Sequence, residues 1–592
     1  VLTAPSPAVG DPAGPRTRSD DAAPAAPDPP RRPLRRRLRT PILASLLVHL
    51  VLVAGDRVPS VDTLSHLEVG RSWLAGDGYT RYGAPERHFP PLTPLGLGVL
   101  ERLVGDEMGA IRLWNLGWAS ALLLVLVALT WQVSRDADAT VLAAWLVPVV
   151  PGATVVALRE GGGSELPAAT LVLGAALATI AAFAPDRRRS DRAVASWLAM
   201  AGAILGLALL ARPEALLPSA AIVAAAGWQL ARRTGDRHQP GAGRWHGALR
   251  TAGLAASLVV SLVVVISPYL AHQRATTGSW SLTSKAKDAS IEAWRSVAEN
   301  DRLGRDEVLY AVGSDGTSLG REKRSLVALA REDPVGWAGI VGVNARTTVD
   351  ALAEPTWSSG PRWTLVPAFL LLPAAASWWA IRRSHRAVVL AAVAACPLVT
   401  CLAFFAMPRY LLLAVAVSIP FAAWGCARWS RAIAGRRSPV LRAAVVLACL
   451  PSLVGAADPL LPGTATPERI EQRLAGAWIR EHTPADSRIM TRSYHVQGYA
   501  DREVVAMPSA SYADTLAFAR RHGVQYLVAD EATIRHRRPH LYRLLLRSRE
   551  APAGLELVHQ FEEVDQRVRI YRLTPAPPPS GLPPLPLGYA GD

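Results

Sequence analysis

From Ser60 to Leu95 the chain reads SVDTLSHLEVGRSWLAGDGYTRYGAPERHFPPLTPL, directly after an apolar run from Pro41 to Gly55. Acids (Asp62, Glu68, Asp77, Glu86), histidines (His66, His88) and arginines (Arg71, Arg81, Arg87) crowd this stretch. Ionisable groups are costly beside hydrocarbon and are kept there for function. The stretch therefore reads as polar chemistry laid on a membrane surface.

Composition supports the membrane. The chain has 592 residues, of which 50% are hydrophobic, and a mean hydropathy of +0.19, too apolar for a soluble multidomain protein. The balance is basic, with 64 Lys+Arg against 48 Asp+Glu and a pI near 10.3. These cations gather in short loops between apolar runs, the positive-inside pattern, and not in a groove that would track nucleic acid. Cys396, Cys401, Cys426 and Cys449 all lie in apolar runs without CxxC spacing, which argues against disulfides and zinc.

After the first run, further apolar runs recur near 111–133, 139–158, 164–184, 193–212, 214–231, 250–270, 362–382, 386–406, 408–427 and 438–456. Together they predict about eleven transmembrane helices. The loops on the N-terminal side, among them PDRRRSDR and ARWSRAIAGRRSPVLR, are rich in arginine. That asymmetry puts the N-terminus in the cytoplasm and, with an odd number of crossings, the region after 456 outside. Residues 1–38 read as a disordered basic cytoplasmic arm ending in RRPLRRRLR against anionic headgroups. The chain opens on Val1, and no small-residue cleavage site follows the first apolar run, so a cleaved secretory signal is not expected.

A transmembrane domain is thus expected over 39–456, with large outside loops at 56–110 and 271–361. Residues 457–574 change to the composition of an α/β domain, and 575–592 form a Pro-rich tail. Thr466-Pro467 offers a helix start, after which Ile470, Leu474 and Trp478 share a face. Strands are expected at 488–491, 503–506, 525–529, 555–559 and 567–572, with Gly523 closing a helix.

Taken in order, several motifs resemble the GT-C class of polyprenyl-phosphate-dependent membrane glycosyltransferases, the superfamily of protein O-mannosyltransferases and lipid A aminoarabinose transferases. They are Asp62 just after the first span, Gly78-Tyr79 and Pro90-Pro91-Leu92, then Arg212-Pro213-Glu214. SPYLAHQRATTGSW (Ser267 to Trp280), PRYLLLAV (Pro408 to Val415), and GVQYLVAD followed by RVRIYRL complete the series. The resemblance covers most of residues 40–573. It implies a sugar carried on a polyprenyl phosphate, mannose foremost, passed to a protein or cell-envelope glycan acceptor outside a bacterial plasma membrane. It departs from the pattern at Thr63, where many members carry a second acid.

The chemistry of the residues runs beside that resemblance. Outside the membrane no nucleotide sugar is at hand, so a donor must lie in the bilayer and be attacked at its edge. A carboxylate above the first span, Asp62, can take the proton of an acceptor hydroxyl while the lipid phosphate leaves, which inverts the anomeric centre. The competing reading is that Asp62 is the N-cap of a helix over 63–75. His66, four residues on, shares its face and is a candidate for substrate contact or for orienting the acid.

Glu165, in REGGGSELPAATL, resembles the family's second acidic position, with Glu160 in competition and a helix-dipole role as the bland alternative. Expelling a phosphate calls for arginine, whose planar fork binds phosphate oxygens. Arg409 leads, since it matches the family's Arg-Tyr pair with Tyr410, and Arg81, Arg87 and Arg274 follow. Tyr79 and His88 complete the candidate substrate contacts. Arg212 and Glu214 read as a structural pair. No cofactor is assigned and no metal-ligand spacing is found, although loop carboxylates leave a divalent cation open. No Walker loop, HExxH, GxSxG or dinucleotide fingerprint is present. A transporter or lipid-linked glycan flippase is the rival class, and it predicts charges within the spans and paired half-repeats.

Overall fold

The computed structural model describes residues 31–55, 58–81, 84–155, 158, 163–184, 190–235, 244–282, 302–310, 326–353, 365–382, 384–404, 406–457, 470–561 and 566–575. Most of the 1–38 arm, nearly all of the 575–592 tail, Glu160 and Thr466-Pro467 lie outside the described residues.

Every predicted apolar run contains a helix. Among the described residues eight helices are long and apolar enough to cross a membrane: Leu34–Ala54, Glu107–Ser134, Glu165–Ala182, Asp191–Ala211, Pro213–Arg233, Leu249–Thr277, His385–Ala403 and Pro408–Ala434. Three more, Ala137–Val149, Ala368–Ile381 and Ser438–Val454, are apolar but shorter. The expected span over 139–158 stops early because the chain leaves the helix at Val150 and Pro151 opens a tight turn. The chain is an α-helical polytopic membrane protein with a small α/β domain at its C-terminal end.

Two helices sit at the centre of the bundle. Glu165–Ala182 and Pro408–Ala434 are each 83% buried over their most apolar window, against 22–44% for the other spans. Consequently the residues that open these two helices are held by neighbours on all sides, which suits a site. The four cysteines are buried, unpaired thiols.

The segment after the first span is folded. Ser60 caps a helix over Val61–Ala75, its Oγ accepting from the Thr63 N–H at 3.2 Å, and Gly76 ends the helix at φ 94°. A hairpin of β1 (Thr80–Arg81) and β2 (Ala84–Pro85) follows, then a helix over Leu92–Val104. The two helices cross at Gly70 and Gly98, where a Cβ on Gly70 would lie 2.3 Å from the Pro94 carbonyl oxygen. Leu67, Leu97, Ile111 and Trp114 pack beneath the crossing.

The C-terminal domain is a five-stranded sheet built from β3 (Arg488–Thr491), β4 (Glu503–Ala506), β5 (Tyr526–Asp530), β6 (Leu555–Phe561) and β7 (Val568–Leu573). Its order is β4-β3-β5-β7-β6, with β3 parallel to both β4 and β5, and β7 antiparallel to β5 and β6. Strand alternation sends Met490, Leu527, Ala529 and Tyr571 to one apolar layer and Ile489, Val528, Val568 and Ile570 to the other. The helix Ile470–His482 buries Ala475 and Ile479, whereas Leu474, expected on its inner face, is exposed. Gly523 takes a left-handed conformation after the Tyr512–Arg521 helix.

This domain touches the first loop. Arg71 bridges Glu101 (Nε to Oε2, 2.8 Å) and Glu107 (Nη2 to Oε2, 2.9 Å), and the Tyr499 hydroxyl donates to Glu107 Oε1 at 3.2 Å. Gly498 lies so close to Leu64 that an added Cβ would come within 2.8 Å of its side chain. The helix carrying Asp62 is thereby clamped from both sides.

Candidate functional site

The site lies where four chain turns meet at one end of the bundle. Asp62 stands in the first turn of the Val61–Ala75 helix, but the capping oxygen there is that of Ser60. The N-cap hydrogen bond is thus made by Ser60. Its Oδ2 lies 3.7 Å from Arg409 Nη2, and its side chain is 44% exposed.

Arg409 comes from the short turn Pro408–Leu411 that opens the central Leu412–Ala434 helix. Its Nε lies 3.2 Å from Glu165 Oε1, and its guanidinium stands 5.3 Å from the Tyr410 ring centroid. Glu165, the first residue of the other central helix, is 9% exposed. A second arginine, Arg212, reaches the same Glu165 Oε1 through its Nη1. Arg212 also donates to Ser164 Oγ at 3.3 Å, pairs with Glu214 at 3.2 Å and lies 5.0 Å from the Tyr410 ring. Two guanidiniums therefore flank one tyrosine ring and share one buried carboxylate, which holds their forks in fixed orientation.

Arg212 is the participant that sequence reading set aside, because Glu214 offered a nearer partner. Its backbone is extended (φ −156°, ψ 129°) between the Asp191–Ala211 helix and the turn at Pro213, and this break swings the side chain toward Glu165. The signal was present in Arg212-Pro213, since the residue before proline is pushed out of the helical region.

The other predicted residues are placed elsewhere. His66, expected to face substrate, is buried with its ring edge-on to Phe89 at 4.4 Å, because the helix face it shares with Asp62 turns inward one turn later. The Tyr79 hydroxyl donates to the Phe89 carbonyl at 2.7 Å, its ring packs edge-on to Tyr269 and His272, and burial pushes its phenol up. Arg81 pairs with Glu86 at 2.9 Å and approaches His88 at 3.4 Å. Burial alone would push the Glu86 carboxyl up, but hydrogen bonds from His88 and the Arg81 charge hold it down at about 2. Arg274 donates to the Gly278 carbonyl and closes its own helix, and Arg87 is exposed on the hairpin side. Arg81, His88 and Tyr79 thus make contacts within the first loop, and Arg274 makes one at the end of its own helix.

Among the described residues no group of three or more His, Cys, Asp or Glu side chains is arranged to hold a metal ion. At the cluster itself the carboxylates in contact with Arg409 are Asp62 and Glu165, and Glu165 is already shared by two guanidiniums.

Comparison with known proteins fits this geometry at the level of fold. No family model matches the chain. Tetraacyldisaccharide 4'-kinase of Halorhodospira halophila is 31% identical over 140 residues, a match to 21% of this chain and 42% of that protein, so the chain spans about two-fifths of that relative. Among solved structures the chain is similar to the archaeal oligosaccharyltransferase AglB from Archaeoglobus fulgidus, in complex with an inhibitory peptide and a dolichol-phosphate. That likeness has a TM-score of 0.52 at 14% identity and covers 83% of this chain and 69% of AglB. It is similar also to ArnT from Cupriavidus metallidurans bound to undecaprenyl phosphate, with a TM-score of 0.53 at 12% identity over 92% of this chain and 99% of ArnT. The chain thus shares the fold of AglB and ArnT.

Proposed function

We propose that the protein is an integral membrane glycosyltransferase that moves a sugar from a polyprenyl-phosphate donor to an acceptor outside a bacterial plasma membrane. The observation that carries this reading is the meeting of a partly exposed carboxylate, Asp62, with a fixed pair of arginines, Arg409 and Arg212. AglB and ArnT, of like fold, are described with dolichol-phosphate and undecaprenyl phosphate, which supports a lipid phosphate here.

In this reading Asp62 accepts the proton of the acceptor hydroxyl as its oxygen bonds to the anomeric carbon. The bond from that carbon to the phosphate oxygen breaks on the opposite face, which inverts the centre. Arg409 and Arg212 take up the charge developing on the phosphate, a contribution of several kcal/mol when donors are held in place. Glu165 is a positioning residue for both. A phosphate that draws Arg409 toward itself also removes that guanidinium from Asp62 Oδ2. Mannose is the first sugar to test, with pentose donors next. The C-terminal domain, in contact with the Asp62 helix, faces the acceptor side.

The test is transfer by purified protein in lipid from radiolabelled polyprenyl-phosphate sugars. Wild type should turn over, and Asp62→Asn should lose on the order of 10³-fold in rate. Equal rates in the two proteins would remove Asp62 as the base.

A further inference from the structure

A second charged cluster lies in the C-terminal domain. Arg492 follows the carboxyl end of β3, Met507 to Ser509 follow β4, and Arg537 and Arg538 close the short helix Glu531–Arg537 that follows β5. These three strands are parallel neighbours. Their carboxyl ends are where open α/β sheets bind ligands.

A helix from the large loop, Arg302–Tyr310, is seated there. Its Asp306, 1% exposed, is met by Arg492 Nε at 2.8 Å, Arg537 Nη1 at 2.6 Å and Arg538 Nη1 at 2.8 Å. The Ser509 N–H donates to the Tyr310 carbonyl at 2.8 Å. Arg538 is fully buried and its remaining groups donate to the Met507 and Pro508 carbonyls. Arg492 lies 4.0 Å from the Tyr310 ring and 4.9 Å from the Tyr494 ring, and the two tyrosine hydroxyls are 2.7 Å apart. Among the described residues Asp306 is the one carboxylate within ion-pair range of these three arginines.

One carboxylate balances one of three guanidiniums. Among the described residues two positive charges remain without a carboxylate partner, in a site where unbalanced charge is expensive. Arg538 and Arg492, 0% and 3% exposed, have no room for another partner, but Arg537 is 29% exposed and Tyr494 41% exposed, so the surplus reaches solvent at Arg537. Planar forks beside phenol hydroxyls make a receptor for a tetrahedral or planar oxyanion.

We infer that Arg537, with the Tyr494 hydroxyl, forms an oxyanion-binding site at the carboxyl edge of the β3-β4-β5 sheet, for a phosphate or carboxylate group, and that the buried Arg492 adds its charge from behind. Asp306 is its fixed inner wall. The site is separate from the Asp62 cluster and stands whether or not sugar transfer is the activity. The anion belongs either to a soluble or glycan-borne ligand or to a lipid headgroup.

The full chain in phosphatidylcholine nanodiscs is titrated with inorganic phosphate, and binding is read from the phosphorus NMR line width. A parallel series adds phosphatidylglycerol to the discs and reads the thermal midpoint. A saturable phosphate response assigns a soluble or glycan anion, and a midpoint shift confined to phosphatidylglycerol discs assigns a lipid headgroup. In either arm Arg537→Gln should weaken the response about tenfold, and Asp306→Asn, which removes the competing negative charge, should strengthen it. Tyr494→Phe, at the exposed rim, keeps the test open should the Asp306 variant fail to fold, and it should weaken the response. No saturable response in either arm overturns the inference, as does an undiminished response in both Arg537→Gln and Tyr494→Phe.

Discussion

The two ends of the helical bundle use the same residue types to opposite effect. At the end bearing the chain's start, Asp136 caps the Ala137–Val149 helix by accepting from the Asp138 and Ala139 N–H groups. Asp136 and Asp138 there also collect Arg37, Arg431 and Arg442. At the far end Ser60 does the capping, and Asp62 faces Arg409 instead. Arg37 and Arg431 are more than 40% exposed, while Arg212 and Arg409 are below 20%. Water screens the Arg37 and Arg431 pairs, so these contribute little, while Arg442, 14% exposed, is the one sheltered arginine of the three named there. The second cluster holds Arg212 and Arg409 where water is scarce, so their charges are little screened.

That contrast can be broken by experiment. The largest effect is expected from Asp62→Asn, which should remove on the order of 10³-fold of transfer with little change in unfolding midpoint, whereas Asp138→Asn should leave transfer intact. Loss of transfer in both would mean that the clusters differ in nothing but position. Next, Glu165→Gln strands two guanidiniums and should cost roughly 3–5 kcal/mol of stability together with donor affinity, read by denaturation and by KM. A variant as stable as wild type would show that the arginines orient each other without it.

The Glu86 network gives a pH signature. Its folded carboxyl sits at about 2 against an ordinary 4.5, so its stabilisation is complete above 4.5 and is lost as pH falls toward 2. Thermal midpoints of wild type should drop across that window by more than those of Arg81→Gln, in which the depressing charge is gone. A smaller change follows from Ser60→Ala, which removes the cap and should cost about 1 kcal/mol. If Asp62 then takes over as cap, transfer should fall further than stability does, a split that Asp138→Asn should not reproduce.

Much of this was legible beforehand. The apolar runs became helices because burying apolar surface, in lipid or in protein, tolerates little else. The strands of the C-terminal domain fell within a residue or two of expectation because their alternating pattern has two faces to satisfy. Site residues were less legible. His66 and Tyr79 carry the same side chains whether they face a ligand or a core, and here Phe89 and Tyr269 enclose them. Asp306 gave no signal, since its three partners lie at least 186 positions away.

By itself the sequence determined that the chain spans a membrane, where its helices run and that an α/β domain follows, because those depend on local periodicity and apolar content. Only the tertiary structure decided that Ser60 and not Asp62 caps the helix, that Arg212 joins Arg409 on Glu165, and that Arg81 pairs within the first loop and Arg274 at the end of its own helix. A charge's role depends on which opposite charge reaches it and how much water lies between, and packing distant segments together sets both.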